Sequence, residues 1–113
     1  LSVLADFQQD FIGCNDFLPF MEQVLIPKGK ALNQIESLLH IDQSIRIQSV
    51  RKEDNNLFYQ LISSFYKKSG IPALLNTSFN ENEPIINSPL EAIRCFQRTE
   101  LDYLIMGKIL IKK

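Results

Sequence analysis

A chain of 113 residues with 45% hydrophobic and 22% charged side chains has the make-up of a globular domain, which excludes disorder, fibrous repeats and a disulfide scaffold. Lys and Arg total 12 against 13 Asp and Glu, a net charge of -1, too weak a positive field to draw the chain onto nucleic acid or an anionic membrane. No apolar run approaches the ~20 residues of a membrane span. Cys14 and Cys95, remote from each other and without metal-type spacing, read as reduced core thiols of a cytoplasmic protein. His40 is the only histidine, which excludes a His-pair metal site. The start at Leu1, with no Met, basic leader or cleavage site, reads as a piece of something longer.

In chain order, Leu4, Phe7, Phe11 and Ile12 fall at helical spacing and predict a short helix over residues 4–12, with Gly13 at its C-terminal end. Residues 17–26 are apolar and partly alternating, a predicted strand that Pro19 pushes toward an edge or bulge and Pro27-Lys28-Gly29-Lys30 ends as a turn. Leu32, Ile35 and Leu39 predict a turn or two of helix over residues 31–39. Residues 44–50 alternate strictly: Ile45, Ile47 and Ser49 take one side, and Ser44, Arg46, Gln48 and Val50 take an unusually polar other side.

The clearest helix runs over residues 55–69, capped by Asp54 and closed by Gly70, with Leu57, Phe58, Leu61, Ile62, Phe65 and Tyr66 as its buried stripe. Residues 72–75 form a wholly apolar strand, the pattern of one covered on both faces. Ser88-Pro89-Leu90-Glu91 is a helix start with a capping box and Pro at the first position, and Leu90, Ile93, Cys95 and Phe96 supply the apolar face. Residues 101–106 and 109–111 finish as strands around Gly107. This mixed order predicts an α/β (α+β) class: a single domain over residues 1–113 whose helices pack on one mixed, twisted sheet containing both Arg46 and Leu74.

Two places break the pattern of apolar strands and polar loops. Arg46 and Gln48 stand two apart on a strand, so both point to one face. The arginine fork suits phosphate or carboxylate, and the glutamine both donates and accepts. A solvated sheet face with a surface ion pair accounts for the same spacing. The second place is the string Asn76-Thr77-Ser78-Phe79-Asn80 beyond the carboxyl end of an apolar strand, where open α/β sheets bind ligands. Asn76, Ser78 and Asn80 are short, neutral groups suited to carbamoyl, polyol or phosphate oxygens, although a polar turn would also use them. Asp42 could orient the His40 imidazole, but a structural histidine is the better reading of the pair.

At these residues the sequence resembles a known family. His40-Ile41-Asp42, Arg46-Ile47-Gln48-Ser49-Val50, Leu74-Leu75-Asn76-Thr77-Ser78-Phe79-Asn80, Glu83-Pro84-Ile85, Ser88-Pro89, Cys95-Phe96 and Leu101-Asp102 follow in order the C-terminal, YrdC-like domain of the NodU/CmcH/TobZ carbamoyltransferases. There the corresponding stretches read HVDGTARVQTV, LLNTSFN, GEPIV and a TP-started helix. The resemblance spans residues 4–111. It implies a YrdC-like sheet, incomplete at its N-terminal side, because the family's domain begins earlier with a basic KxRExFRPFAP-type segment.

The resemblance further implies that the parent is an O-carbamoyltransferase whose YrdC-like domain makes carbamoyl adenylate from ATP and carbamoyl phosphate. A separate, metal-dependent N-terminal domain of the same chain would pass the carbamoyl group to a hydroxyl acceptor. Arg46 and Ser78 would be the catalytic pair, and Arg46, Asn76, Ser78 and Asn80 would hold carbamoyl phosphate and nucleotide, with Arg46 and Ser78 meeting in one pocket. His40, Asp42 and Gln48 would be further candidates, and no metal is expected on this stretch. Small-molecule substrates are the expected partners; a homodimer stays open. The fragment alone is expected to be inactive. Two departures, Gln43 and Asn82 in place of family glycines, leave room for a non-catalytic scaffold descended from the domain. An RNA-binding module is the other alternative, and the net charge of -1 opposes it.

Overall fold

Ser2–Leu4 is a strand (β1), all three residues buried, although the spacing predicts a helix beginning at Leu4. It lies between Gln48–Val50 (β4), which it pairs in parallel, and Ala73–Leu74 (β5), which it pairs antiparallel. A run this short carries no periodicity, so its central place in a mixed three-stranded sheet is invisible in the residues alone. The structure, a computed structural model, describes residues 1–30 and 32–113; Ala31, at the head of the second predicted helix, lies outside the described residues. The chain falls into two units, Leu1–Asn76 and Thr77–Lys113.

After β1 a single 3-10 turn, Ala5–Phe7, leads into α1, Gln8–Ile12, which Gly13 closes at a φ of 77°. The Pro27–Lys30 turn presses on this helix end, where the Lys28 amide donates to the Ile12 carbonyl at 2.8 Å. A Cβ on Gly29 would stand 2.2 Å from the Phe11 carbonyl oxygen, so only glycine fits there. The strand predicted over residues 17–26 shrinks to β2, Val24–Leu25. Pro19 has no N–H to give a ladder, and Met21 sits at a φ of 56°, outside the extended region. Leu32–Ile35 (α2) and a 3-10 turn at Glu36–Leu38 follow.

The alternating segment splits at Ile47 into β3, Ile45–Arg46, and β4. β3 pairs antiparallel with β2, whereas β4 pairs with β1. Arg46 and Leu74 therefore sit in separate ladders, which corrects the expectation of one sheet holding both; the α/β class with a mixed sheet stands. One core gathers Val3, Ile12, Leu18, Ile35, Ile45 and Ile47. Leu4, Val50 and Ile62 form another between the sheet and α3, Asn56–Ser69. The rings of Phe7 and Tyr66 meet at its edge, centroids 4.5 Å apart.

Asn55, not Asp54, caps α3, its side-chain oxygen accepting from the Phe58 amide at 3.1 Å. The helix buries Ile62 and half-buries Phe58, Tyr59 and Tyr66. Leu57, Leu61 and Phe65, expected in the stripe, are 81%, 55% and 39% exposed, because the face turned to the sheet is centred about a third of a turn away from them. In the Thr77–Lys113 unit, α4 spans Pro89–Arg98 and is started by Ser88 as predicted, the hydroxyl accepting from the Glu91 amide at 3.3 Å. Ala92, Cys95 and Phe96 are buried, but Leu90 is exposed. α4 packs on the hairpin β6–β7, Tyr103–Met106 and Ile109–Lys112, which turns at Gly107 with a φ of 60°. Cys14 and Cys95 are free thiols.

Candidate functional site

Gln48 is the best-connected of the predicted site residues. Its Oε1 accepts from the Ser2 hydroxyl at 2.9 Å and lies 3.5 Å from the Asn76 Nδ2, while its Nε2 donates to the Pro19 carbonyl at 3.0 Å. A half-buried carboxamide with three partners in three segments holds one rotamer, and it fixes Asn76 at the exit of β5. Two residues before it, with Ile47 fully buried between, Arg46 is exposed and makes no ion pair among the described residues. The alternation therefore aims both polar side chains away from the core. The Arg46 carbonyl accepts from the Leu1 nitrogen at 2.8 Å.

Behind this strand a buried polar set supports the loop that carries Pro19. The Ser49 hydroxyl donates to Gln8 Oε1 at 2.5 Å and accepts from the Leu18 amide at 2.8 Å. Gln8 Nε2 donates to the carbonyls of Cys14 and Asp16. Ser49 was legible as an inward position of an alternating strand; Gln8 carries no signal in the sequence, because a glutamine in a helix is ordinarily solvated. A cleft opens on the Gln48 strand, walled by Phe17, Phe20 and Phe58, and the sequence pattern assigns those aromatics to a strand and a core stripe instead.

Asn76 ends the first unit, whereas Ser78 and Asn80 belong to the second. Ser78 is exposed. The Asn80 Nδ2 donates to the Glu83 carbonyl at 2.8 Å, a loop-closing bond of the kind a polar turn uses. His40 and Asp42 sit in a tight turn in which the Gln43 amide donates to the His40 carbonyl at 2.9 Å and the Ser44 amide to the Asp42 carboxylate at 3.0 Å. The Ser44 bonds hold the Asp42 carboxyl below its usual range. Asp42 is thus used as a turn former, and His40 is exposed. Gln43 takes a φ of 65°, a left-handed conformation that a glycine adopts freely. Asn82 is not among the positive-φ residues.

In the second unit a cleft of about 710 Å³ is lined by Glu83, Glu91, Arg94 and Arg98 among others. Arg98 meets Glu83 at 2.5 Å and Glu81 at 3.6 Å. The Glu83 carboxyl lies below its usual range, chiefly through its own backbone amide, then the Asn82 amide and Arg98. These are exposed pairs on a surface, worth little individually. Among the described residues no group of three His, Cys, Asp or Glu side chains could hold a metal ion, and no helix is long and apolar enough to cross a membrane.

Comparison with known proteins places this geometry in a family. The model of the carbamoyltransferase C-terminus matches residues 1–113. An uncharacterized protein of Methanocaldococcus jannaschii is 37% identical over 113 residues, 99% of this chain and 22% of its own length. Nodulation protein NolNO of Sinorhizobium fredii is 39% identical over 111 residues, 97% of this chain and 15% of its own. The 3'-hydroxymethylcephem-O-carbamoyltransferase of Amycolatopsis lactamdurans is 30% identical over 74 residues, 65% of this chain and 14% of its own. The chain thus spans about a fifth or less of the length of these relatives. With its whole length matched, this chain belongs to the carbamoyltransferase C-terminus family.

Proposed function

We propose that this chain is the part of an O-carbamoyltransferase that helps to make carbamoyl adenylate from ATP and carbamoyl phosphate, for transfer to a hydroxyl acceptor. The observation that carries the reading is local to the segment Ile45–Val50 and its partners. Arg46 presents a guanidinium without an ion pair among the described residues, two positions from Gln48, and Gln48 is pinned by Ser2 and Pro19 so that it meets Asn76. A permanent cation next to preset amide groups can neutralise a phosphate and orient a carbamoyl group, and neither role needs a nucleophile. Balanced, the step consumes ATP, carbamoyl phosphate and water and releases pyrophosphate and phosphate.

Ser78 and Asn80 carry over from the family motif as further candidate substrate ligands, and substitution tests them one by one. The acceptor and any metal belong, in this reading, to a transferase domain elsewhere in the polypeptide, and the substrates place the protein in the cytoplasm. The alternative of a non-catalytic scaffold rests on the glycine losses at Gln43 and Asn82, of which Gln43 takes a left-handed φ of 65° despite its missing glycine. The test is pyrophosphate release by the full-length protein. Arg46→Ala should lower it at least a hundredfold, an effect of the size lost with one charge-stabilising donor. Arg46→Lys should recover part of it, keeping the charge without the fork. Full activity in the alanine variant would remove Arg46 from the site.

A further inference from the structure

Within the Leu1–Asn76 unit, α3 carries a second apolar stripe that no core covers. Leu57, Leu61 and Phe65 follow one another at four-residue steps along the helix, and all three are exposed. Such steps build one continuous ridge, the kind that interdigitates with a like ridge on another helix. The outer face of a surface helix ordinarily carries charge. This one does not: residues 55–66 hold no charged side chain, and the exposed neighbours of the ridge, Gln60 and Ser64, are neutral. Solvation alone gives no reason for such a face.

The charges stand at the two ends and are opposite in sign. Glu53 and Asp54 precede α3, and Lys67 and Lys68 occupy its last turn. All four are exposed, and none makes an ion pair among the described residues. The helix dipole favours these signs, but it does not call for a neutral apolar ridge between them. The whole pattern is self-complementary when the helix meets a copy of itself running the other way. With Leu61 on a two-fold axis, positions equally far from it face each other. Leu57, four residues before it, meets the second copy's Phe65, four residues after it. Asp54, seven before it and just ahead of the Asn55 cap, comes opposite the second copy's Lys68, seven after it. A two-fold interface needs this property, one patch that makes each contact twice. A parallel pairing would set lysine against lysine and acid against acid.

We propose that α3 packs antiparallel against α3 of a second copy of this chain, with Leu57, Leu61 and Phe65 as the seam and an Asp54–Lys68 pair between copies at each end. A single helix seam is smaller than a standard interface, so the dimer is weak and concentration-dependent. The test is sedimentation velocity of the full-length protein across the micromolar range, where the wild type should pass from monomer to dimer. Leu61→Asp should raise the dimer Kd about tenfold or more, because the axis brings two carboxylates together in an apolar seam. Asp54→Lys and Lys68→Glu should each weaken the dimer about tenfold by facing like charges. The double variant should recover it. Within one copy these two residues stand roughly 20 Å apart at the usual helical rise, so recovery reports a contact between copies. All three positions are exposed, so the changes leave the core untouched, and circular dichroism checks the fold. A dimer that Leu61→Asp leaves intact, or a double variant that stays as weak as the single ones, overturns the pairing. A wild type that remains monomeric also overturns it; a lowered melting temperature in Leu61→Asp would then assign the ridge to another domain of the same polypeptide.

Discussion

Gln43 holds a φ of 65° in the turn between His40 and Ser44, a conformation that costs an L-residue roughly 1–2 kcal/mol. Glycine carries no such penalty but loses ~0.5–1 kcal/mol more backbone entropy on folding. Gln43→Gly should therefore stabilise the protein by about 0.5–1 kcal/mol, read as a higher urea midpoint, and Gln43→Ala should give no gain. An unchanged midpoint in the glycine variant would mean that the turn is not held left-handed. The same residue shows what was legible in the sequence: its mismatch with a family glycine marks a strained position, and the structure supplies the angle. Gln48 was legible as a polar residue on a strand face. Its bonds to Ser2, Pro19 and Asn76 were not, because each reaches across 28 or more residues of chain and nothing local encodes such a pairing.

At the scale of elements, end signals read well and faces read poorly. Gly13, Gly70 and Ser88-Pro89 stop and start helices where expected, since capping is a property of a few adjacent residues. The stripe of α3 misled because more than half of its circumference is apolar, and periodicity alone does not choose which part meets the sheet. Fully buried Ile62 and 81%-exposed Leu57 separate the two faces. Ile62→Ala should cost ~2–5 kcal/mol, transfer and cavity terms together. Leu57→Ala should stay within about 0.5 kcal/mol. Equal losses in a denaturant titration would mean that the helix is rotated from the face described. The strands were harder still: β2, β3 and β5 are two residues each, below the length at which alternation can be read, and Met21 with its left-handed φ interrupts the longer strand that the apolar run predicts.

For the whole molecule, the class and the family were readable from the sequence, and the arrangement of the ladders was not, because strand pairing depends on contacts remote in sequence. On the proposed reading, the net charge of -1 over these residues assigns substrate binding to local groups, Arg46 and the amides near it, and not to a general field of this stretch. The central claim is thus chemical: these groups serve the making of a carbamoyl–nucleotide anhydride. The most direct measurement is mass spectrometry of the nucleotides formed when the full-length protein is incubated with ATP and carbamoyl phosphate and no acceptor. The account predicts carbamoyl adenylate together with pyrophosphate, formed by the wild type and missing with Arg46→Ala. ATP left intact, or converted to ADP alone, would contradict it.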